Sequence, residues 1–270
     1  MRIGLQLPTG DVELAARADA AGLCAVLTPG TAAGIDSAVA ARLAARTSDI
    51  RIVVRVRLGV EHPVTLAEEA AVVDHLSGGR LVVLVDTADL DPAAAAEDLA
   101  LLRACWSGRM VRHVGPRWRV PSGVMGSAMP ATLSVTPKPA QLDLPVWLDG
   151  AAAGAIDSGL PVVARSFAAA SIAAQVQPAV DDLTGDLDTD RRRVTAWAEA
   201  GATHLLVRVP DDADPEFVHA FVARYLVPET AMPHLPRVMV ESPPPLPWPR
   251  GASAAPTMAP TSSGEDGPHG

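Results

Sequence analysis

Short apolar, β-branched runs alternate with longer Ala-rich stretches from the first residues to about position 225. Strand candidates cover residues 3–7, 25–28, 50–56, 81–85, 146–149, 162–165 and 204–209. Most are continuous apolar runs, the pattern of strands buried on both faces of a parallel sheet. Helix candidates lie between them, over residues 11–21, 37–47, 63–76, 92–106, 167–183, 190–200 and 215–225. Asp36 precedes the second, Pro63 opens the third, and Asp91-Pro92 opens the fourth, each a residue type suited to a helix start. Gly22, Gly78 and Gly201 stand where helices should stop. This alternation predicts right-handed βαβ units. Closed into a ring they form a (β/α) TIM-type barrel, here shortened to about seven strands or incompletely closed. The competing doubly wound open sheet usually carries a Gly-rich turn after its first strand. That turn is Pro8-Thr9-Gly10, which is not a dinucleotide fingerprint.

Two segments break the pattern. Residues 107–144 are rich in proline and glycine and hold no strong helix. A connection this long is uncommon in a compact domain and is usually functional. It follows a helix, so part of it should run along the barrel before returning. Beyond residue 230 proline, glycine, serine and alanine dominate and periodicity is lost. Residues 1–230 are therefore expected to form the barrel, and residues 231–270 a largely disordered tail. Its stretch 243–249 is expected to be polyproline-like, either a docking segment or a solvated terminus.

The net charge of −9 argues against nucleic acid as the main partner. No run approaches the ~20 apolar residues of a membrane span. The opening MRIGLQLPTG enters a strand-like run with no room for a signal peptide, so a cytoplasmic location is expected. Cys24 and Cys105 then read as reduced thiols filling apolar space. P-loop, GxSxG, HExxH, CxxC and GxGxxG patterns are all missing.

The segment IRIVVRVRLGVEHPVTLAEEAAVVDHLSGGR, residues 50–80, resembles the bacterial-luciferase-like superfamily. It has the strand, the His62-Pro63 loop and the helix ending Asp74-His75-Leu76-Ser77-Gly78-Gly79-Arg80. The opening strand, helix and second strand agree, as do LLRACWSGRMV, VGPRWRV, TPKPAQLDLPVWLDG and AGATHLLVRVP. The resemblance implies a (β/α) barrel that uses reduced FMN or deazaflavin on a small organic substrate, often as a dimer of like or unlike chains. It also implies a cofactor at the strand ends marked by Thr28, Thr87 and Gly150. Four features depart from the family. The fourth strand ends Val85-Asp86-Thr87-Ala88-Asp89 without a glycine turn, the second ends without a titratable pair, the fifth ends Asp149-Gly150 in place of two glycines, and residues 150–190 leave space for about one βα unit rather than two.

Asp86 lies where the fourth strand meets its loop, the end at which barrels place active sites. It is a candidate general acid or base, or an anchor for a ligand hydroxyl; otherwise, like Asp89, it solvates the loop, with Asp91 a helix cap. Arg55 and Arg57 alternate with Val54, Val56 and Leu58, so both share one face. Facing inward they would hold a phosphate or carboxylate; facing outward they would pair with Glu68 or Glu69. His62 is expected to shape its loop, and no histidine shows metal-ligand spacing. The acidic run 181–190 lacks the sixth-position glycine and twelfth-position carboxylate of a calcium loop, and Asp190 is expected to cap the helix after it. Trp147 packs inward or outward. Two functions remain open: a flavin- or deazaflavin-dependent oxidoreductase, or a catalytically silent barrel that has lost the cofactor site and serves as a binding or partner subunit.

Overall fold

In a computed structural model, the apolar runs become one parallel sheet. The structure describes residues 1–87, 90–122, 131–150, 159–166, 178–182, 184, 186–211 and 215–225. The chain divides into the units Met1–Met239 and Val240–Gly270, and all described residues lie in the first. The expectations for the tail and for Asp89 fall outside the described residues.

The elements run β1 (Arg2–Gln6), α1 (Val12–Ala20), β2 (Ala25–Leu27), α2 (Ser37–Arg46), β3 (Arg51–Arg57), α3 (Pro63–Leu76), β4 (Leu81–Asp86) and α4 (Pro92–Trp106). The short strands β5 (His113–Val114), β6 (Arg119–Val120) and β7 (Val146–Leu148) follow. Last come β8 (Pro178–Asp182), α5 (Leu187–Glu199), β9 (His204–Arg208) and α6 (Pro215–Tyr225). Seven strands pair in the order β7-β4-β3-β2-β1-β9-β8, every pairing parallel. The two edges meet through residues 162–164. Val163 N donates to Leu148 O at 2.8 Å on one side, and Ala164 N donates to Pro178 O at 2.9 Å on the other. Six of the seven expected strands stand in this sheet, β8 is an unexpected member, and the expected strand 162–165 is reduced to the bridges that join the two edges.

Side-chain alternation divides the core in two. Ile52, Val54 and Val56 join Ile3, Leu5, Leu205 and Val207 in a cluster between sheet and helices. Ala25, Leu27, Val53, Val82, Leu84, Trp147, Val163, Val180 and Leu206 fill the lumen. Trp147 thus faces inward.

Local chemistry places the helices as expected at four starts. Asp11, Asp36 and Asp91 accept N-terminal amide protons of α1, α2 and α4, and His62 Nδ1 accepts from Val64 N at 3.1 Å to open α3. After α3, Gly78 has φ +65°, a conformation that costs most residues a Cβ clash.

Two expectations fail. Of the helix predicted over 167–183, residues 178–182 form β8 instead and 167–177 lie outside the described residues; with the bridges at Val162 and Ala164, two extended segments lie between Gly150 and Asp190. Asp190 does not cap α5; Asp186 does, its Oδ1 accepting from Thr189 N at 2.8 Å. Asp190 is fully buried and accepts from Thr184 N and Oγ1.

After α4 the antiparallel pair β5–β6 packs against that helix. Asp98 accepts from Arg117 Nε at 2.9 Å and from Trp118 Nε1 at 2.5 Å, while Glu97 accepts from Trp118 N. Trp118 meets His62 edge to face at 4.3 Å. Farther along the chain Lys138 Nζ donates to Cys105 O and Gln141 donates to the buried Asp74.

Candidate functional site at the carboxyl mouth of the barrel

Strand parity decides which charges reach the lumen. β3 presents Arg51, Val53, Arg55 and Arg57 inward, since Val53 belongs to the inner cluster and its neighbours to the outer one. Both predicted arginines therefore face the lumen and not Glu68 or Glu69. By the same rule Asp86, Asp149, Arg165, Asp182, Arg208 and Gln6 lie inward at the carboxyl ends of their strands.

Arg55 does not stand as an open cation. Its Nη1 pairs with Asp149 Oδ2 and lies 3.9 Å from Asp86 Oδ2. Arg165 grips the same Asp149, with Nη2 at 3.0 and 2.8 Å from the two carboxylate oxygens. Asp149 is only 4 % exposed. Burial alone would raise its carboxyl, but hydrogen bonds from Arg165 and Arg55 outweigh that and hold it below the usual range. Across the mouth, Arg208 Nη1 pairs with Asp182 at 3.1 Å.

The remaining predicted positions take different roles. Thr87 is buried and its carbonyl accepts from Leu90 N at 3.0 Å, closing the turn after β4. At Gly150 a Cβ would meet Val163 O at 2.9 Å, so the closing strand accounts for this glycine. Arg57 pairs in register with Asp86, and its amide donates to Gly34 O at 2.7 Å. Thr28 is 1 % exposed and its Oγ1 has no hydrogen-bond partner among the described residues. Gln6 Oε1, at the end of the neighbouring strand, is buried and equally without one. Arg165 and Gln6 were not singled out by sequence, and Asp149 stood out only as the replacement of a glycine. Asp149 and Arg165 each end an apolar strand candidate with a charge, which was the available signal.

The segment carrying the strongest resemblance lies at the opposite end. Arg80 is buried and donates to Ser77 O, Thr47 Oγ1, Ile50 O, Ala44 O and Thr47 O over 2.6–3.0 Å. It joins the carboxyl ends of α2 and α3 to the sheet. Among the described residues no helix is long and apolar enough to cross a membrane.

Comparison with known proteins adds ancestry. The model of the luciferase-like monooxygenase family matches residues 7–88. An uncharacterized protein of Mycobacterium tuberculosis is 30 % identical over 227 residues, covering 68 % of this chain and 70 % of that protein. The monooxygenase RslO1 from Streptomyces bottropensis superposes with a TM-score of 0.61 at 17 % identity, covering 86 % of this chain and 100 % of that one. The coenzyme F420 dependent tetrahydromethanopterin reductase of Methanopyrus kandleri gives 0.62 at 15 %, covering 84 % and 99 %. At these identities the structures speak to the fold.

Proposed function

The chain belongs to the luciferase-like monooxygenase family, and we propose that it is an oxidoreductase holding a reduced flavin or deazaflavin at the carboxyl mouth of its barrel. The observation that carries this reading is Gln6 Oε1, a buried oxygen with no hydrogen-bond partner among the described residues, on the inward face at the end of β1. Leaving such an atom bare costs about 1–3 kcal/mol. A ring with imide-type N–H and C=O groups offers it a donor. This residue therefore fits a flavin-type ring. The bound cofactor would supply the reducing equivalents.

The chain would supply the rest. Asp149 holds Arg55 and Arg165 in place, and their remaining N–H groups suit an anionic or carbonyl oxygen of a ligand. Asp86, beside Arg55, is positioned to hold a proton at its carboxylate. The solved structures named above include an F420 dependent reductase, which supports a deazaflavin, and a monooxygenase, which supports oxidoreductase chemistry. A small organic substrate, a soluble life in the cytoplasm and a dimer of like or unlike subunits belong to the same proposal.

A second reading has its own observation. Arg55 is committed to Asp149 and lies beside Asp86, so its charge is already neutralised. A silent barrel serving as a partner subunit would look this way. Titration of the purified full chain with FMN and with F420, followed by fluorescence, separates the two. Saturable micromolar binding, weakened about tenfold by Gln6→Leu, supports the oxidoreductase. Binding of neither cofactor overturns it in favour of the silent barrel.

A further inference from the structure

Charge is unevenly spread along the chain. Residues 99–142 hold six of its 22 Lys and Arg residues and none of its 31 Asp and Glu residues, in a molecule of net charge −9. Five of the six are Arg103, Arg109, Arg112, Arg117 and Arg119, which fall between the last turn of α4 and β6.

The pair β5–β6 has two faces. His113 Nε2 meets Glu97 Oε1 of α4 at 2.9 Å, and its register partner Val120 is buried. Opposed residues of an antiparallel pair share a face, so this one packs on α4. Both acidic groups that α4 offers are taken up there. Asp98 is fully buried under Arg117 and Trp118, and Glu97 also accepts from the amides of both. Val111 is buried too, held by paired hydrogen bonds with Leu133 at 2.7 and 3.0 Å. By alternation Met110, Arg112 and Val114 turn outward, and Arg119, opposite Val114, turns with them. Met110 is 57 % and Val114 69 % exposed, and both arginines are exposed. Neither Arg112 nor Arg119 makes an ion pair or side-chain hydrogen bond among the described residues, and the same holds for exposed Arg103 and Arg109. Val114 therefore stands about 5 Å from Arg119 across the pair and about 7 Å from Arg112 along its strand. Solitary exposed apolar side chains need no explanation, but these two interleave with unpaired cations on one face.

We propose that the outer face of β5–β6 docks an acidic segment of a partner protein, with carboxylates on Arg112 and Arg119 and an apolar side chain against Val114 and Met110. Guanidinium groups pair with carboxylates at two points, and Met and Arg are residues that protein interfaces accumulate. The charge of the whole chain selects the form of the partner. An anionic bilayer or a nucleic acid is an extended polyanion, which a molecule of net charge −9 repels beyond the patch. A short acidic segment meets only the charges within about 8 Å, one Debye length at physiological ionic strength. The surface is independent of whether a cofactor binds at the mouth.

The test uses the full chain and a short peptide of alternating glutamate and leucine, blocked at both ends and fluorescently labelled. The matching glutamine and leucine peptide is the control. Anisotropy should show saturable, submillimolar binding of the acidic peptide, weakened at least about fivefold in Arg112→Glu and in Arg119→Glu, and about threefold in Val114→Ser. Arg192→Glu, at an exposed position of α5, changes the net charge equally and should leave binding as it was. In the unaltered protein, raising potassium chloride from about 50 to about 500 mM should weaken binding about tenfold, a reading that needs no variant to fold. No saturable binding below about 1 mM peptide overturns the surface, as does equal weakening in Arg192→Glu. So does tighter binding of phosphatidylglycerol vesicles or single-stranded DNA that Arg112→Glu abolishes, which assigns the face to an extended polyanion. A dimer of the chain that Arg112→Glu dissociates in the ultracentrifuge overturns it too, in favour of a second copy.

Discussion

Replacing Arg80 by alanine tests whether the segment that marks the family is a structural clamp. The side chain sits at the amino end of the barrel, 5 % exposed, and serves five acceptors. Ala44 O and Thr47 O end α2, and Ser77 O ends α3, where carbonyls have no helical donor and the dipoles favour a cation. Truncation leaves these acceptors facing a cavity. Each bare buried acceptor costs about 1–3 kcal/mol, and water entering the space recovers part of that. Breaking a buried charged network usually costs about 3–5 kcal/mol, so we take about 4 kcal/mol. A urea slope near 3 kcal/mol/M then gives a midpoint lower by about 1.3 M. Against a total of about 5–15 kcal/mol this is severe but survivable. Arg80→Lys keeps three donors on one nitrogen and should lose about half as much. The assay is urea unfolding followed by far-UV circular dichroism. A loss below about 1 kcal/mol for Arg80→Ala, with the slope unchanged, would refute the clamp.

Two further outcomes follow from the same structure. His204 is held neutral in the fold, with its value lowered from 6.5 to about 4, so on acidification the unfolded chain takes up this proton first. Its contribution is complete above pH 6.5 and declines toward pH 4, by about 3 kcal/mol for a shift of this size. In phosphate-free buffer His204→Gln should flatten that part of the stability curve, and parallel curves for the two proteins would contradict the assignment. Asp98 anchors Arg117 and Trp118, so Asp98→Ala should free the β5–β6 segment from α4 at a local cost of about 2 kcal/mol. Trypsin should then cut at Arg117 or Arg119 roughly 30-fold faster in the folded protein, and an unchanged cleavage rate would show that the pair is held some other way.

What the sequence could show followed from how local each signal was. Pro63, Asp91 and Asp36 start helices through contacts within their own first turn, and they sit where the pattern put them. Arg55 and Arg57 were legible as one face because period-two alternation needs nothing beyond β3 itself. β8 was hidden because five residues, PAVDD, follow an Ala-rich stretch with helical propensity, and only pairing to β9 and Ala164 makes them a strand. Asp186 and Asp190 are both plausible caps by type, and the burial that turns Asp190 toward Thr184 is a tertiary effect. The mouth divides along the same line. Asp86 and Arg55 are readable from strand ends and parity, whereas Asp149 joins two arginines 94 and 16 residues away, a pairing that exists only once the ring has closed. The most recognisable motif clamps the amino end, and the groups available for chemistry are scattered singly over the carboxyl ends of several strands. A barrel built from repeated βα units keeps fold and site apart in this way, so a strong family signal can coexist with an altered mouth. That separation is why the titration with FMN and F420 at the mouth, rather than the resemblance at Arg80, decides what this chain does.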